Sequence, residues 1–284
     1  MKKLTMKYLL PILSLIIVVS CGGKQQTTQW PIEPKNERVE LMLQLDSMNL
    51  ALMGDSSSKY DTASQIYADQ EGASLEQAAE EMKDTYREAD EAWHKFVYLC
   101  NEDKIVEAVN FYRENQANIN VALSHSIVRF RFHDEVLGYL AYEALPEAEA
   151  QALMIEALEF DFMIFEAQLV LNSDIETAAT YFEYTYRMLR TLYHVTDRHD
   201  DMLTLIDRWF AVVEPNPDRP AQALIATRKA EAYHAKGEYE MSLKLLREAK
   251  TLLETELQNG GNAEYCNAGL EVVNGYIEKM TKRE

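Results

Sequence analysis

Apolar residues along most of this chain recur at three- and four-residue spacing, the period that turns one face of an α-helix toward a core. In "ERVELMLQLDSMNLALM" the buried face is predicted to hold Val39, Met42, Leu43, Leu45 and Leu50. "GDSSSKYDTAS" breaks the pattern and reads as a loop. "SLEQAAEEMKDTYREADEAWHKFVYLC" is a long helix, with Ser74 and Gln77 spaced as a capping box. "NEDKIVEAVNFYREN" follows, with Asn101 as its expected N-cap. "IVRFRFHDEVLGYLAYEAL" closes before Pro146, which opens the next helix at a position where its missing N–H costs nothing. Asn172-Ser173-Asp174 then turns the chain. "AEAYHAKGEYEMSLKLLREA", residues 230 to 249, reads as a helix, a tight turn at Gly237 and a second helix. "SIVRFRF" alternates as a strand would, but it is short and flanked by helix formers. Long helices joined by turns, with no convincing strand, predict an all-α protein.

The front of the chain follows a different pattern. Lys2, Lys3 and Lys7 precede an apolar run from Leu9 to Val19, broken by Pro11 and Ser14. That run is about half of the ~20 residues a spanning helix needs, and it has the layout of a secretory signal. Val18-Val19-Ser20-Cys21 resembles the bacterial lipobox, in which a small residue precedes a cysteine that is lipidated and becomes the first residue. The resemblance implies a signal peptide over 1–20, a lipid on Cys21 and a protein held to a membrane without a spanning segment. The alternative is an ordinary secretion signal with a chance cysteine. Gly22 follows the cysteine, which by resemblance to enteric lipoproteins implies the outer membrane of a bacterial envelope. Residues 21–37 are polar, hold Pro31 and Pro34, and read as a flexible tether to an all-helical domain over 38–284.

Charge narrows the partners. Loss of residues 1–20 would remove three lysines and no acid, leaving 25 basic residues against 47 acidic and a net charge of −22. A field of that sign repels nucleic acid and anionic lipid. The acids are spread along helices, as on a solvated surface; a groove for a basic partner is the sharper possibility. Cys100 and Cys266 are far apart in sequence, show no zinc spacing, and are expected as buried thiols rather than a disulfide.

The hairpin at 230–249 places Ala230, Tyr233, Gly237, Tyr239, Ser242, Leu246 and Ala249 in an order of small, aromatic and glycine positions. This resembles the tetratricopeptide repeat, a helix-turn-helix unit of about 34 residues. Tyr193, Asp197, His199, Met202, Ile206 and Trp209 follow the same offsets, with Asp197 in place of glycine and Trp209 in place of alanine. Ala108 and Tyr112, with Trp93 upstream, make a fainter third match. The clearest repeats are about 183–216 and 223–256, and "NAEYCNAGLEVVNGYIEKM" reads as a closing helix. The resemblance implies a right-handed solenoid in which the first helix of each unit lines a peptide-binding groove. Carried over residue by residue, the groove positions are Tyr184, Arg187, Thr191 and His194 in one unit, and Leu224, Thr227, Glu231 and His234 in the next.

Catalytic motifs are not found: there is no G-x-S-x-G, H-E-x-x-H or phosphate loop. "YHVTDRHDD" brings His194, Asp197, His199, Asp200 and Asp201 close in sequence, either as metal ligands or as polar turn residues. "SHSIVRFRFHDE" places His125, Arg129, Arg131 and His133 where they could form an anion patch or pair with nearby carboxylates. The expectation is a non-enzymatic, lipid-anchored envelope scaffold that binds a protein or peptide segment, with no cofactor, no metal and no nucleic acid. The alternatives are a ligand- or glycan-binding lipoprotein that cooperates with an outer-membrane transporter, and a metal enzyme built on "HVTDRHDD".

Overall fold

The computed structural model describes residues 32–53, 75–171 and 176–281. The lipobox, the "GDSSSKYDTAS" loop, Ser74 and the turn at 172–174 lie outside them. Every regular element among the described residues is helical: α1 (Glu37–Met53), α2 (Leu75–Asn101), α3 (Ile105–Ala122), α4 (Ser126–Arg131), a π-helical segment (Phe132–Leu137), α5 (Gly138–Ala144), α6 (Glu147–Leu171), α7 (Glu176–Val195), α8 (His199–Val213), α9 (Arg219–Ala235), α10 (Tyr239–Gln258) and α11 (Ala263–Thr281). The chain divides into two compact units, Met1–Met154 and Ile155–Glu284.

The first unit packs α2 and α3 as a hairpin, with an aromatic core of Trp93, Phe96, Tyr112 and Phe132. Phe132 meets Trp93 and Phe96 edge-on, with centroids 5.4 and 5.5 Å apart, a geometry that suits the ring quadrupoles. Asn49 is buried, and its amide donates to the Ala122 carbonyl while its oxygen accepts from the His125 backbone N–H. Buried polar groups need such partners.

Two expectations are corrected here. The stretch read as a tether over 21–37 is docked from Glu33 onward: Asn101 donates to the Glu33 carbonyl and accepts from the Lys35 N–H, and Asn36 caps α1 through the Val39 N–H. Asn101 is therefore the end of α2 and not the N-cap of α3, whose cap is Lys104 with no side-chain bond. An asparagine carries both a donor and an acceptor, so it can clamp a backbone running past it as well as cap a helix.

One turn recurs in both units. After α7, the Arg198 N–H donates to the Tyr193 carbonyl and Asp197 N–H to His194; after α9, Glu238 N–H donates to Tyr233 and Gly237 N–H to His234. Lys104 and Asp103 make the same pair of bonds after α2, and Gly261 and Gly260 after α10. This is the Schellman motif, which requires a left-handed residue just past the helix. The four residues are Asp103 and Asp197 (φ 56° each), Gly237 (φ 83°) and Gly260 (φ 81°). Gly237 is thus the turn glycine that the sequence predicts, and Asp197 takes its conformation as well as its place. Met202 and Ile206 are buried in the second helix of one hairpin as Ser242 and Leu246 are in the next. Tyr233, by contrast, is only half-buried, while Ala230 and Leu246 belong to the core between the two helices.

Candidate functional site

The second unit builds a cleft from α9, α10 and α11. Asp218 starts α9 by accepting the Ala221 N–H at 2.9 Å, and Pro220 follows in its first turn. Ala223, Ala226 and Ala230 form a narrow stripe that lets α10 approach, with Leu246, Ala249 and Leu253 packed against it. Ser242 sits at one of the positions where a small residue is predicted. Its hydroxyl donates to the Ala230 carbonyl at 2.7 Å and ties the two helices together. Asn262 accepts the Tyr265 N–H at 3.1 Å and opens α11. Gly269 lets α11 close on α10, since a Cβ there would stand 2.9 Å from Leu253 Cδ1.

Between α9 and α11 remains an apolar cleft of about 270 Å³. Ala223, Leu253 and Val273 are its buried apolar lining; Leu224, Tyr265 and Val272 line it and are 36, 48 and 53% exposed. Apolar side chains of that size, grouped around a concavity, mark a surface suited to a partner. Arg228 and Glu231 also line it. Glu231 accepts from Arg228 at 3.1 Å and from the Tyr276 hydroxyl at 3.1 Å, with an Arg190 nitrogen 3.9 Å away. The Glu231 charge, then burial, raises the Tyr276 phenol above its ordinary range.

Of the eight predicted groove residues, the structure brings Leu224, Thr227 and Glu231 to this cleft. Thr227 is nearly buried and its hydroxyl donates to the Ala223 carbonyl at 2.8 Å, so it shapes the wall and offers no free group. His234 lies beyond the cleft with its ring 5.2 Å from Tyr239. The four on α7 do not line it. Tyr184 and His194 face solvent, Arg187 pairs with Glu183 at 2.6 Å, and the Thr191 hydroxyl donates to the Arg187 carbonyl. Sequence reasoning missed Tyr265, Gly269 and Val272, because α11 was expected only to close the stack. The available signal was Gly260, which marks the same kind of turn as Gly237.

The two chemical clusters resolve differently from their sharper readings. In "YHVTDRHDD", Asp197 makes the turn, Asp201 pairs with Arg198 at 2.6 Å, and Asp200 pairs with Lys236 at 2.8 Å. Among the described residues no three His, Cys, Asp or Glu side chains come together as a metal site. In "SHSIVRFRFHDE" the anion patch does not form. His133 is fully buried within 3.0 Å of the Tyr112 hydroxyl and 3.2 Å of the Asn120 oxygen, Arg129 is buried, and Arg131 binds Glu135 through two nitrogens. Arg129 and His133 do share a face, four residues apart, but it is the buried face and not a solvent-facing one. Cys100 and Cys266 are both buried free thiols, and burial pushes Cys100 up to about 12.

No protein-family model matches the chain, and no curated protein or solved structure matches it.

Proposed function

We propose that this chain is a lipid-anchored helical-repeat scaffold of the bacterial envelope. It is non-enzymatic and holds a peptide segment of another envelope protein in the α9–α11 cleft. The observation that carries the reading is the cleft itself. Leu224 and Glu231, assigned to a groove by their place in the repeat, line a concavity with the exposed Tyr265 and Val272. The shared Schellman turns at Asp103, Asp197, Gly237 and Gly260 support a tetratricopeptide-like array, with α7, α9 and α11 as first helices. The occupant is a peptide: apolar side chains would cover Leu224 and Val272, while the polar Arg228–Glu231 end would meet backbone or polar groups. The lipobox at Val18-Val19-Ser20-Cys21 supports the anchor and the outer-membrane location.

A photo-crosslinking side chain placed at Tyr265 or Val272, compared with one at Tyr142 of the first unit, tests this in cells. The expected result is one discrete product from the cleft positions, mapped to a short stretch of one protein. A synthetic copy of that stretch should compete for it. Equal products from all three positions, or none from the cleft, would overturn the reading.

A further inference from the structure

A second concavity, independent of the α9–α11 cleft, lies among α6, α7 and α8. It holds about 450 Å³, room for a small molecule or a long side chain. Phe160, Met163 and Leu205 give it apolar lining, and Glu156, Glu159 and Asp201 bring carboxylates to it.

The charges do not balance. Arg198 is shared: it donates to Glu159 at 3.0 Å and to Asp201 at 2.6 Å. Glu159 also accepts from the Tyr193 hydroxyl at 2.7 Å. Arg208 lines the cavity but is held by Glu166 through two nitrogens and lies over the Phe162 ring, 4.8 Å from its centroid. Both arginines are thus engaged by carboxylates. Glu156 is exposed and pairs with no cation among the described residues. Counting Glu166, four carboxylates stand against two guanidiniums, in a chain whose net charge is already −19. The unmatched capacity is for a donor that carries positive charge, because carboxylates only accept. The surrounding field draws cations toward the cavity and repels anions. Burial first, then the hydrogen bond to Glu159 and its charge, raise the Tyr193 phenol above its ordinary range.

We propose that this cavity binds an organic cation, a guanidinium or primary ammonium group on a short apolar stem. The head sits against Glu156 and the free oxygens of Glu159 and Asp201, and the stem lies along Phe160, Met163 and Leu205. A basic side chain of a peptide and a free small amine share this chemistry.

Isothermal titration of the full chain with agmatine, with an arginine blocked at both ends, and with butane-1,4-diol tests the assignment. At least one of the two cations should bind, more weakly as salt is raised, while the diol should not. Tighter binding of blocked arginine than of agmatine would identify a peptide-borne group, and the reverse a free amine. Glu156→Gln should weaken binding about tenfold, and Glu156→Lys, which puts a cation in the cavity, should abolish it. Glu156 is solvent-exposed, so both variants should melt as the parent does. Failure of both cations to bind, equal binding of the diol, binding of a neutral disaccharide in their place, or unchanged binding by Glu156→Lys would each overturn the proposal.

Discussion

At the residue scale the most informative positions are those with left-handed backbone. Gly237 has φ 83° and open space where a Cβ would go, so a side chain there meets no clash and the cost is conformational alone. Gly237→Val should destabilise the protein by about 1–3 kcal/mol, because a β-branched residue suits that region least. Gly237→Asp should cost less, since aspartate already holds φ 56° at Asp103 and Asp197. Urea midpoints of the two variants check the order, and equal losses would count against a left-handed turn. A second prediction concerns His125. Burial, then the Arg129 charge, lowers its pKa from the ordinary 6.5, so the folded state favours the neutral ring. The unfolded chain then takes up the proton first as pH falls, and stability is lost below about pH 6.5. His125→Gln should lose less stability than the parent between about pH 7.5 and about pH 5, read from urea midpoints at each pH. Parallel losses would assign the acid sensitivity to other groups.

At the element scale the two faces of one small helical layer separate stability from binding. Ala230 is buried between α9 and α10, whereas Ala268 lines the cleft from the exposed side of α11. The same change, alanine to leucine, should therefore have opposite readouts. Ala230→Leu should cost about 1–3 kcal/mol by overpacking a closed contact. Ala268→Leu should leave the melting temperature near the parent's but fill the cleft and reduce crosslinking at Val272. Loss of crosslinking by neither variant would remove the cleft from the proposed function. This scale also shows what the sequence makes legible. The α9–α10 hairpin can be read because glycine and small residues stand at fixed spacing, and each has a single physical use there. The turns at Asp103 and Asp197 are harder to read, because aspartate enters the left-handed region only where the surrounding helices hold it. The cleft was half legible. Leu224 and Glu231 follow from the repeat offsets, but the last helix reads in sequence only as a closing helix, so no groove position was carried onto Tyr265 or Val272. The burial of His133 was not legible, since its ring is accommodated by Tyr112 and Asn120, which lie 21 and 13 residues away in the chain.

At the scale of the whole molecule, charge bears on the proposed anchorage, because an acidic protein needs a means of staying at a membrane. A net charge of −19 is repelled by anionic headgroups, and no helix among the described residues is long and apolar enough to cross a bilayer. The proposed attachment therefore rests on Cys21. Each buried methylene contributes ~0.8 kcal/mol, a single acyl chain holds only marginally, and more than one makes the anchoring stable. Cys21→Ser removes the proposed acceptor sulfur and leaves the basic and apolar residues before it unchanged. It should abolish palmitate incorporation and move the protein away from its lipid-bound position in the membrane fraction. The melting temperature should not change, because residues 32–281 contain the described helices and Cys21 lies outside them. If the variant fractionates and labels as the parent does, the segment is an ordinary secretion signal and the lipid anchor is wrong. The cleft and the cation cavity would stand unaffected, since both are built wholly from residues beyond 155.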